Sequence, residues 1–289
     1  MHKNTAINVQ LPHKTVAKII SKKICNRSEF FNSTAIFISE SKALYCMRTV
    51  RVYDNQPLQT DTEVTLCSDA FNHAIKVLRM NVNDPLTLFN GDGCDYQAVI
   101  TSVQKKSADV RIIGCTEKNN ESPIKIHLGQ VLSRGDKMDF TVQKSVELGI
   151  NVITPLVSER CGVRLNDERS QKKQETLQKI VISACEQSGR AIIPEVRPLM
   201  SIEEFLSENT DADELKVTMN PYADCRFRDL PQAGSYRLLV GPEGGFTDEE
   251  VELSRKAGYR DVLVGPRILR TETAALVALS IIQSCFGDI

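Results

Sequence analysis

Two glycine-containing loops hold the residues of this sequence that are best suited to chemistry. The glycine loop has the sequence Gly-Pro-Glu-Gly-Gly at residues 241–245, and the arginine loop has Gly-Pro-Arg-Ile-Leu-Arg-Thr-Glu-Thr at residues 265–273. Each loop follows an apolar stretch typical of a strand and precedes a predicted helix. The two loops are therefore expected side by side at one edge of a sheet, where open α/β folds bind their ligands.

The glycine loop does not match the known signatures of a phosphate cradle. It has no Lys-Ser or Lys-Thr after its second glycine, and it does not follow the G-x-G-x-x-G dinucleotide pattern. Because the carboxylate of Glu243 would repel a phosphate, the loop favours a cationic or hydroxyl-bearing ligand. S-adenosylmethionine (SAM), with its sulfonium and amino groups, fits that description. Another kind of nucleotide-binding enzyme, with a phosphate ligand, is an alternative that Glu243 disfavours.

The arginine loop has two cationic side chains at the entrance of a helix. Arg267 and Arg270 lie three residues apart, directly before the apolar stretch 274–286, and Thr271 is the predicted N-cap of that helix. Either arginine alone would be interpreted as a surface ion-pair partner, for example of Glu272. Two of them beside a glycine loop favour a site for an anion or for the oxygen atoms of a base.

The elements that must position these loops follow a regular order. Thr247 and Glu250 form a capping-box pattern, which predicts that a helix begins just after the glycine loop. From residue 121 onward strands and helices alternate, which predicts an α/β domain with a parallel sheet covered by helices. The predicted strands span 124–132, 152–156, 215–219, 237–240 and 261–264, and the predicted helices span 136–148, 169–188 and 274–286.

Residues 47–120 have a different pattern, in which short strands alternate with turns. Strands are predicted at 86–89, 96–100 and 109–113, with an Asn-Gly-Asp-Gly turn after the first of them. One helix is predicted at 69–80 from its apolar spacing. This part of the chain is interpreted as a small β-barrel domain.

The polar face of that helix carries His73, Lys76 and Arg79. Such a face is usually ordinary solvated surface. The cationic residues Arg48 and Arg51 nearby favour a surface that contacts RNA phosphate. His73 has no partner at a spacing typical of a metal site, so it is grouped with this surface.

Residues 1–46 show little periodicity. Residues 1–51 hold nine Lys and Arg against two Glu, which leaves residues 52–289 with a net charge of about −8. We interpret residues 1–46 as an extension that is disordered or that results from a start codon assigned too far upstream. A basic arm that touches RNA and an organellar transit peptide are the alternatives. Because the body is acidic, it must bind any nucleic acid through local basic patches.

Composition disfavours a membrane-spanning protein and a secreted protein held together by disulfides. The chain has 289 residues, 41% hydrophobic and 25% charged, without an apolar run long enough for a membrane span or an apolar secretory signal, so we expect a cytoplasmic protein. Its nine cysteines are widely spaced, which favours reduced thiols over a disulfide framework. No Cys/His cluster has zinc spacing, so no metal site is expected.

From residue 47 to its end, the sequence resembles the bacterial 16S ribosomal RNA (uracil N3) methyltransferases, the RsmE family of the knotted SPOUT superfamily. The pair of loops is the most specific part of the resemblance. Further matches, in the same order, are Val-Leu-Arg-Met at 77–80, His-Leu-Gly-Gln-Val-Leu at 127–132, Gln-Lys-Ser-Val-Glu-Leu-Gly at 143–149, Ser-Glu-Arg-Cys at 158–161 and Ala-Cys-Glu-Gln at 184–187. Residues 1–46 depart from the family pattern.

The resemblance implies an N-terminal extension at 1–46, a PUA-like β-barrel RNA-binding domain at 47–120, and an α/β SPOUT methyltransferase domain with a deep trefoil knot at 121–289. It also implies a homodimer that meets through the knot helices. The implied methyl donor is SAM, without a metal, and the implied partner is 16S ribosomal RNA, within the 30S subunit. The residues implied in donor binding are Met219, Asn220, Gly241, Pro242, Glu243, Gly244, Gly245, Val264, Gly265, Leu269, Arg270, Thr271 and Thr273.

The expected reaction gives N3-methyluridine. Loss of the N3 proton places negative charge on the oxygens of uracil, and a cationic side chain would stabilise that charge. Arg270 is the preferred candidate for this role and Arg267 the second, while Glu243, Glu272 and solvent remain open as the proton acceptor. The residues expected to contact RNA are Arg48, Arg51, His73, Lys76, Arg79, Lys144, Arg160 and Arg164.

Two other functions remain open at this stage. A SPOUT enzyme that methylates a ribose 2′-hydroxyl or guanine N1 would have similar donor loops. A non-catalytic RNA-binding protein of ribosome assembly would keep the barrel and an inactive knot. The arginine loop favours uracil N3 over the first, and the intact glycines and arginines disfavour the second.

Overall fold

The structure is a computed structural model that describes residues 50–162 and 166–289. The extension interpreted at residues 1–46 and the RNA-binding candidates Arg48 and Arg164 lie outside the described residues. All of the described residues belong to one compact unit.

The first part of the described chain forms a five-stranded sheet in the order β1-β3-β4-β5-β2. Its strands are β1 (Val50–Tyr53), β2 (Glu63–Thr65), β3 (Pro85–Phe89), β4 (Cys94–Val103) and β5 (Ala108–Glu117). β3, β4 and β5 confirm the three predicted strands, and β4 and β5 extend beyond the predicted bounds. Apolar side chains of this sheet form a core of their own, with Leu88, Ile100 and Ile112 fully buried.

The helix predicted at 69–80 is shorter and less regular than expected. A short helix, α1 (Ser68–Phe71), continues as a π-helical turn at Asn72–Val77, in which Leu78 N donates to His73 O at 3.0 Å. Arg79 then takes the left-handed conformation, with φ of 57°. A residue with a Cβ cannot continue a right-handed helix from that conformation, so the helix ends there.

The second part forms a parallel sheet in the order β12-β10-β11-β6-β7-β8, with β9 also paired to β7. Its strands are β6 (Lys125–Val131), β7 (Val152–Val157), β8 (Glu195–Val196), β9 (Met200–Ser201), β10 (Glu214–Met219), β11 (Ser235–Val240) and β12 (Arg260–Val262). The pairs within this sheet are parallel, as the alternation of strands and helices predicted. The α/β class is therefore confirmed.

Helices cover this sheet and bury its apolar side chains. They are α2 (Lys137–Glu147), α3 (Asp167–Ser188), α4 (Ile202–Ser207), α5 (Asp248–Lys256) and α6 (Thr271–Phe286). Asn166 caps α3 by accepting from Arg169 N, and Gly189, with φ of 84°, ends it. In α6, the apolar stretch predicted from the sequence places Ala275, Leu279 and Ile282 in the core. Within the described residues, no helix is long and apolar enough to cross a membrane.

Arg51 connects the small sheet to α3. Its guanidinium donates to the carbonyl oxygens of Cys185 and Arg190, at 2.6 and 3.2 Å, and to the carboxylate of Asp95 at 2.6 Å. It also stacks over the ring of Phe89, 4.3 Å from the centroid, and the side chain is 12% exposed. Because protein groups occupy this guanidinium, the position does not support the phosphate contact expected for Arg51, and the residue has a structural role here.

A buried network of charged and polar side chains joins β6 to β11. The Arg237 guanidinium donates to Tyr259 Oη at 2.9 Å, to His127 Nδ1 at 3.0 Å, and to the carboxylate of Glu208. Since arginine can only donate, His127 Nδ1 accepts, and the imidazole is neutral with its proton on Nε2, 2.7 Å from Thr154 Oγ1. Burial and then the charge of Arg237 lower the pKa of His127 to about 3. His127 is therefore a structural residue and not an acid or base.

Candidate active site

Four neighbouring parallel strands of the described sheet end at the same edge. β12 leads into the arginine loop, β10 ends at Met219 and leads into Asn220, β11 leads into the glycine loop, and β6 leads into residues 132–135. Asn220 joins two of these ends, because its Nδ2 donates to Asp261 at 3.0 Å and its backbone N donates to Val262 O at 3.1 Å. The three segments expected to bind the methyl donor are therefore brought together.

The glycine loop is a tight turn fixed at its far end by the predicted capping box. Gly245 has φ of 70°, and its N–H donates to Pro242 O at 3.0 Å. Thr247 and Glu250 exchange the two hydrogen bonds of the capping box, at 2.8 and 3.1 Å, which confirms that prediction. Glu250 also accepts from Glu159 N at 2.9 Å and thereby attaches the helix to the segment after β7.

Thr271 ties the glycine loop to the start of α6. Its hydroxyl donates to Gly241 O at 2.6 Å and accepts from Gln130 Nε2 at 2.9 Å, while the same Nε2 donates to Val131 O at 3.0 Å. The prediction that Thr271 is an N-cap is wrong, since α6 begins at Thr271 and Arg270 has the extended N-cap conformation. Thr271 and Gln130 are 6% and 1% exposed, so this tie is shielded from water.

The two arginines of the arginine loop have no acidic partner among the described residues. Arg267 and Arg270 are both exposed, and neither guanidinium has a hydrogen bond or ion pair with another described residue. The backbone of Arg270 is fixed, because its carbonyl accepts from Ala274 N at 2.8 Å in the first turn of α6. The other residues of the expected donor site here are the half-buried Val264, Gly265 and Leu269 and the exposed Thr273. Both cationic groups are available to a ligand.

Glu243 is engaged with the segment after β6. Its Oε1 accepts from Lys137 Nζ at 3.1 Å and from Arg134 N at 3.3 Å. Burial raises the pKa of Glu243, but backbone N–H groups and the Lys137 ammonium outweigh it, and the net shift is downward. Glu272 contrasts with it, because its Oε2 is buried and has no hydrogen-bond partner within the described part of the chain. Of the two carboxylates, Glu243 is thus held by protein groups, whereas no described group holds Glu272 Oε2.

The cationic residues near the π-helical turn form an exposed surface. Lys76 and Arg79 are exposed, and Lys76 lies over the ring of Phe71, 5.3 Å from its centroid. His73 Nε2 instead lies 3.8 Å from the carboxylate of Glu186 on α3. Lys76 and Arg79 are thus better placed than His73 to reach an external phosphate.

Two further RNA-binding candidates are engaged with protein groups. Arg160 Nη1 donates to Gly244 O at 3.3 Å and to Phe246 O at 3.0 Å, so it supports the glycine loop. Lys144 pairs with Glu147 one turn later on α2, at 2.7 Å. Such an exposed pair contributes little and can exchange for a phosphate.

Sequence reasoning missed Gln130 and Lys137 as members of this site. Gln130 is the one polar residue inside the apolar end of β6, a position where a buried amide needs partners. That signal could have identified it, but its partner Thr271 lies 141 residues away.

Within the described residues, no group of three or more His, Cys, Asp or Glu side chains could hold a metal ion.

Comparison with known proteins places both parts of the chain. Residues 120–283 match the model of an RNA methyltransferase domain, and residues 66–113 match that of an RNA methyltransferase PUA domain. The ribosomal RNA small subunit methyltransferase E of Buchnera aphidicola is 39% identical over 243 residues, which cover 84% of this chain and 98% of the relative.

Solved structures show the same similarity. The ribosomal RNA small subunit methyltransferase E of Neisseria gonorrhoeae, crystallised bound to SAM, is 40% identical, with a TM-score of 0.78 over 84% of this chain and 100% of the other. A Legionella pneumophila protein in complex with the cofactor SAM is 43% identical, with a TM-score of 0.81 over the same shares of the two chains.

Proposed function

We propose that this chain, which belongs to the ribosomal RNA small subunit methyltransferase E family, transfers a methyl group from SAM to N3 of a uridine in small-subunit ribosomal RNA. The observation that carries the proposal is the arginine loop. Two guanidinium groups without a partner among the described residues lie beside a glycine loop that Thr271 holds in place. This combination suits a donor pocket next to a site where negative charge develops.

The residues at the sheet edge fit SAM. The glycine loop and arginine loop offer backbone groups, and the turn at Gly245 lets a ligand approach the chain closely. Gln130 Oε1 is buried near these loops without a partner among the described residues, so it can accept from an N–H or O–H of the donor. When bound, SAM supplies a methyl group on a sulfonium for in-line displacement. The loops contribute by fixing the direction of attack.

Arg270 acts on the base. When uracil N3 loses its proton, the ring oxygens become negatively charged, and a guanidinium aimed at one of them lowers the energy of that state. The start of α6 adds the positive end of the helix dipole at the same place. Glu272 accepts the N3 proton, because Glu243 is held by Lys137 and its proton affinity is lowered.

Thr271→Val tests the tie between the loops. Valine has nearly the same shape but leaves Gly241 O and Gln130 Nε2 without their partner. An unmade buried hydrogen bond costs about 1–3 kcal/mol, so we expect the Kd for SAM to rise about 10- to 100-fold. Calorimetric titration measures it, and Thr271→Ser, which keeps the hydroxyl, is the matched control. Equal affinities for both variants would contradict the role of the hydroxyl.

Lys76 and Arg79 contact RNA phosphate in this proposal. Charge reversal at both positions is expected to weaken RNA binding and to lower the slope of log Kd against log salt by about 0.7 for each lost contact. Filter binding at several salt concentrations measures this slope. Reversal of Lys105 and Lys106, in the turn between β4 and β5, is the control. A slope identical to that of the wild type would remove this surface from the account.

The family resemblance supports further parts of the proposal. We assign residues 47–120 to the RNA-binding domain and 121–289 to a knotted catalytic domain, which a crystal structure traced through residues 214–289 would test. The reaction takes place in the cytoplasm, where the substrate is ribosomal RNA within the 30S subunit. The resemblance also supports a homodimer. The helix α2 packs against α6, and a partner subunit would cover the exposed Phe140 on α2. Light scattering should then give twice the chain mass of 32.2 kDa, and the chain mass itself would contradict the dimer.

Activity with purified components tests the proposed function. The protein is incubated with methyl-labelled SAM and with small-subunit ribosomal RNA from a strain that lacks the gene. Label should enter the RNA at a single uridine. Tight RNA binding without SAM binding or label transfer would instead indicate a non-catalytic RNA-binding protein, and label on a ribose or a guanine would indicate a different acceptor.

A further inference from the structure

A groove lies between the segment that follows β6 and the first turns of α3. Its volume is about 510 Å³. It is lined by Leu132, Ser133, Arg134, Gly135, Arg169, Lys172, Lys173 and Thr176. None of these side chains belongs to the donor or RNA-binding residues assigned above.

The groove is strongly cationic in a body that is acidic overall. Lys172 pairs with Glu168 and Lys173 with Asp139, at 2.7 and 2.8 Å. Arg134 and Arg169 add two charges that no acid among the described residues neutralises. The groove therefore has a surplus of positive charge, which favours an anionic ligand.

The surroundings of two lining side chains, Ser133 and Arg134, favour binding of such a ligand. Ser133 is 7% exposed, and its hydroxyl has no hydrogen-bond partner within the described residues. A buried hydroxyl without a partner is costly, and a ligand oxygen at the groove would satisfy it. The Arg134 guanidinium lies against Gly162, where a Cβ would overlap it, so the glycine makes room for the arginine.

The groove is adjacent to the donor loops. Arg134 N donates to Glu243 Oε1 at 3.3 Å, and Lys137, three residues later, pairs with the same carboxylate. An anion in the groove would thus lie next to the glycine loop. Two guanidinium groups without an acidic partner in the described part of the chain, two lysines and a hydroxyl exceed what the single carboxylate of SAM requires, and they suit a chain of phosphates.

We propose that this groove binds the RNA backbone next to the target nucleotide, with Arg134, Arg169 and Ser133 as phosphate ligands. The inference rests on the proposed function for its choice of RNA as the polyanion. A backbone phosphate held here fixes the position of the nucleotide at the donor loops without reading its base. The groove is a binding and positioning site and takes no part in the chemical step.

The test compares three variants of the full-length protein: the double variant Arg134→Ala/Arg169→Ala, Ser133→Ala, and Lys179→Ala as a control. Lys179 is an exposed lysine on α3 that does not line the groove. Filter binding to small-subunit ribosomal RNA over a series of salt concentrations gives the Kd and its salt slope. Calorimetry gives the Kd for SAM, and label transfer gives activity as a separate measurement.

The double variant should bind RNA at least about tenfold more weakly, with a salt slope lower by about 1.4, which is about 0.7 for each of two phosphate contacts. Ser133→Ala should weaken RNA binding about fivefold, the value of one neutral hydrogen bond, without changing the slope. Lys179→Ala should match the wild type, and all three variants should keep the wild-type Kd for SAM. Ser133→Ala also separates binding from folding, because it removes a hydroxyl that has no partner in the described fold.

Wild-type RNA affinity and salt slope in the double variant would overturn the proposal. If the double variant instead lost affinity for SAM, the proposal would also be overturned, since the groove would then hold the carboxylate of the donor. If the wild-type protein binds RNA through the groove but transfers no methyl group, the groove assignment stands and the proposed function fails. The two failures are thus distinguishable.

Discussion

Arg270→Ala is expected to lower kcat for methyl transfer about 100- to 1000-fold, the usual loss when one preorganised charge-stabilising donor is removed. The Kd for SAM should change little, because the backbone of Arg270 is held by α6 and its side chain has no partner among the described residues. The physical reason is that the guanidinium interacts with charge that exists only after N3 has lost its proton. The effect therefore falls on kcat and not on binding.

Single-turnover kinetics with saturating SAM measures this effect, and calorimetry measures the donor affinity separately. Arg267→Ala is the matched control, since Arg267 lies in the same loop but outside the first turn of α6, and we expect a loss of about tenfold. Arg270→Lys keeps the charge but not the planar fork, so it should restore part of the rate. If Arg270→Ala lost affinity for SAM at unchanged turnover, the arginine would belong to the donor site instead.

Glu208→Gln is expected to lower the free energy of unfolding by about 3 kcal/mol at pH 7. The carboxylate of Glu208 accepts from Arg197 and from the buried Arg237, and the Arg197 hydrogen bond is the main cause that holds its pKa at about 2. The ordinary pKa of a glutamate carboxyl is 4.5, and each unit of difference corresponds to about 1.4 kcal/mol. Glutamine keeps the shape and loses the charge, so Arg197 loses its anionic partner and, among the described acids, Arg237 keeps only Glu214, at 3.9 Å.

The contribution of Glu208 to the free energy of unfolding depends on pH. Because the pKa of Glu208 is lower in the folded state, its contribution is complete above pH 4.5 and is lost as the pH falls towards 2. The difference between wild type and Glu208→Gln should therefore shrink over that range in urea unfolding. His127, with its pKa lowered to about 3, loses its contribution from pH 6.5 downward in both proteins. Glu203→Gln, at an exposed neighbouring position, is the control and should leave the free energy of unfolding unchanged. If the difference in unfolding free energy between wild type and Glu208→Gln stayed constant from pH 4.5 to 2, the ion-pair explanation would be contradicted.

Local patterns were sufficient to predict the elements that position the site. The strands that became β6, β7, β10, β11 and β12 are apolar stretches between turn residues, and the capping box at Thr247 and Glu250 is a contact within one turn. The short strands β1, β2, β8 and β9 have two to four residues, too few to show a period. The π-helical turn was missed because apolar spacing does not distinguish it from a regular helix.

The contacts within the site depend on the tertiary fold. Glu243 meets Lys137 across 106 residues, and Gln130 meets Thr271 across 141. The sequence predicts that both loops and their arginines are the place of chemistry. It had no means to show that Thr271 would tie the loops and not cap the helix, or that Arg51 would be enclosed by Asp95 and Cys185. These partners are chosen by the fold, and their spacing in the chain has no pattern.

The most direct test of the central claim is mass spectrometry of small-subunit ribosomal RNA from a strain in which the gene is deleted. The account predicts that one methyl group is missing from a single uridine, at N3, and that it returns with the wild-type gene but not with Arg270→Ala. An unchanged set of methylated nucleotides in the deletion strain, or a methyl group missing from a ribose or a guanine, would contradict the account.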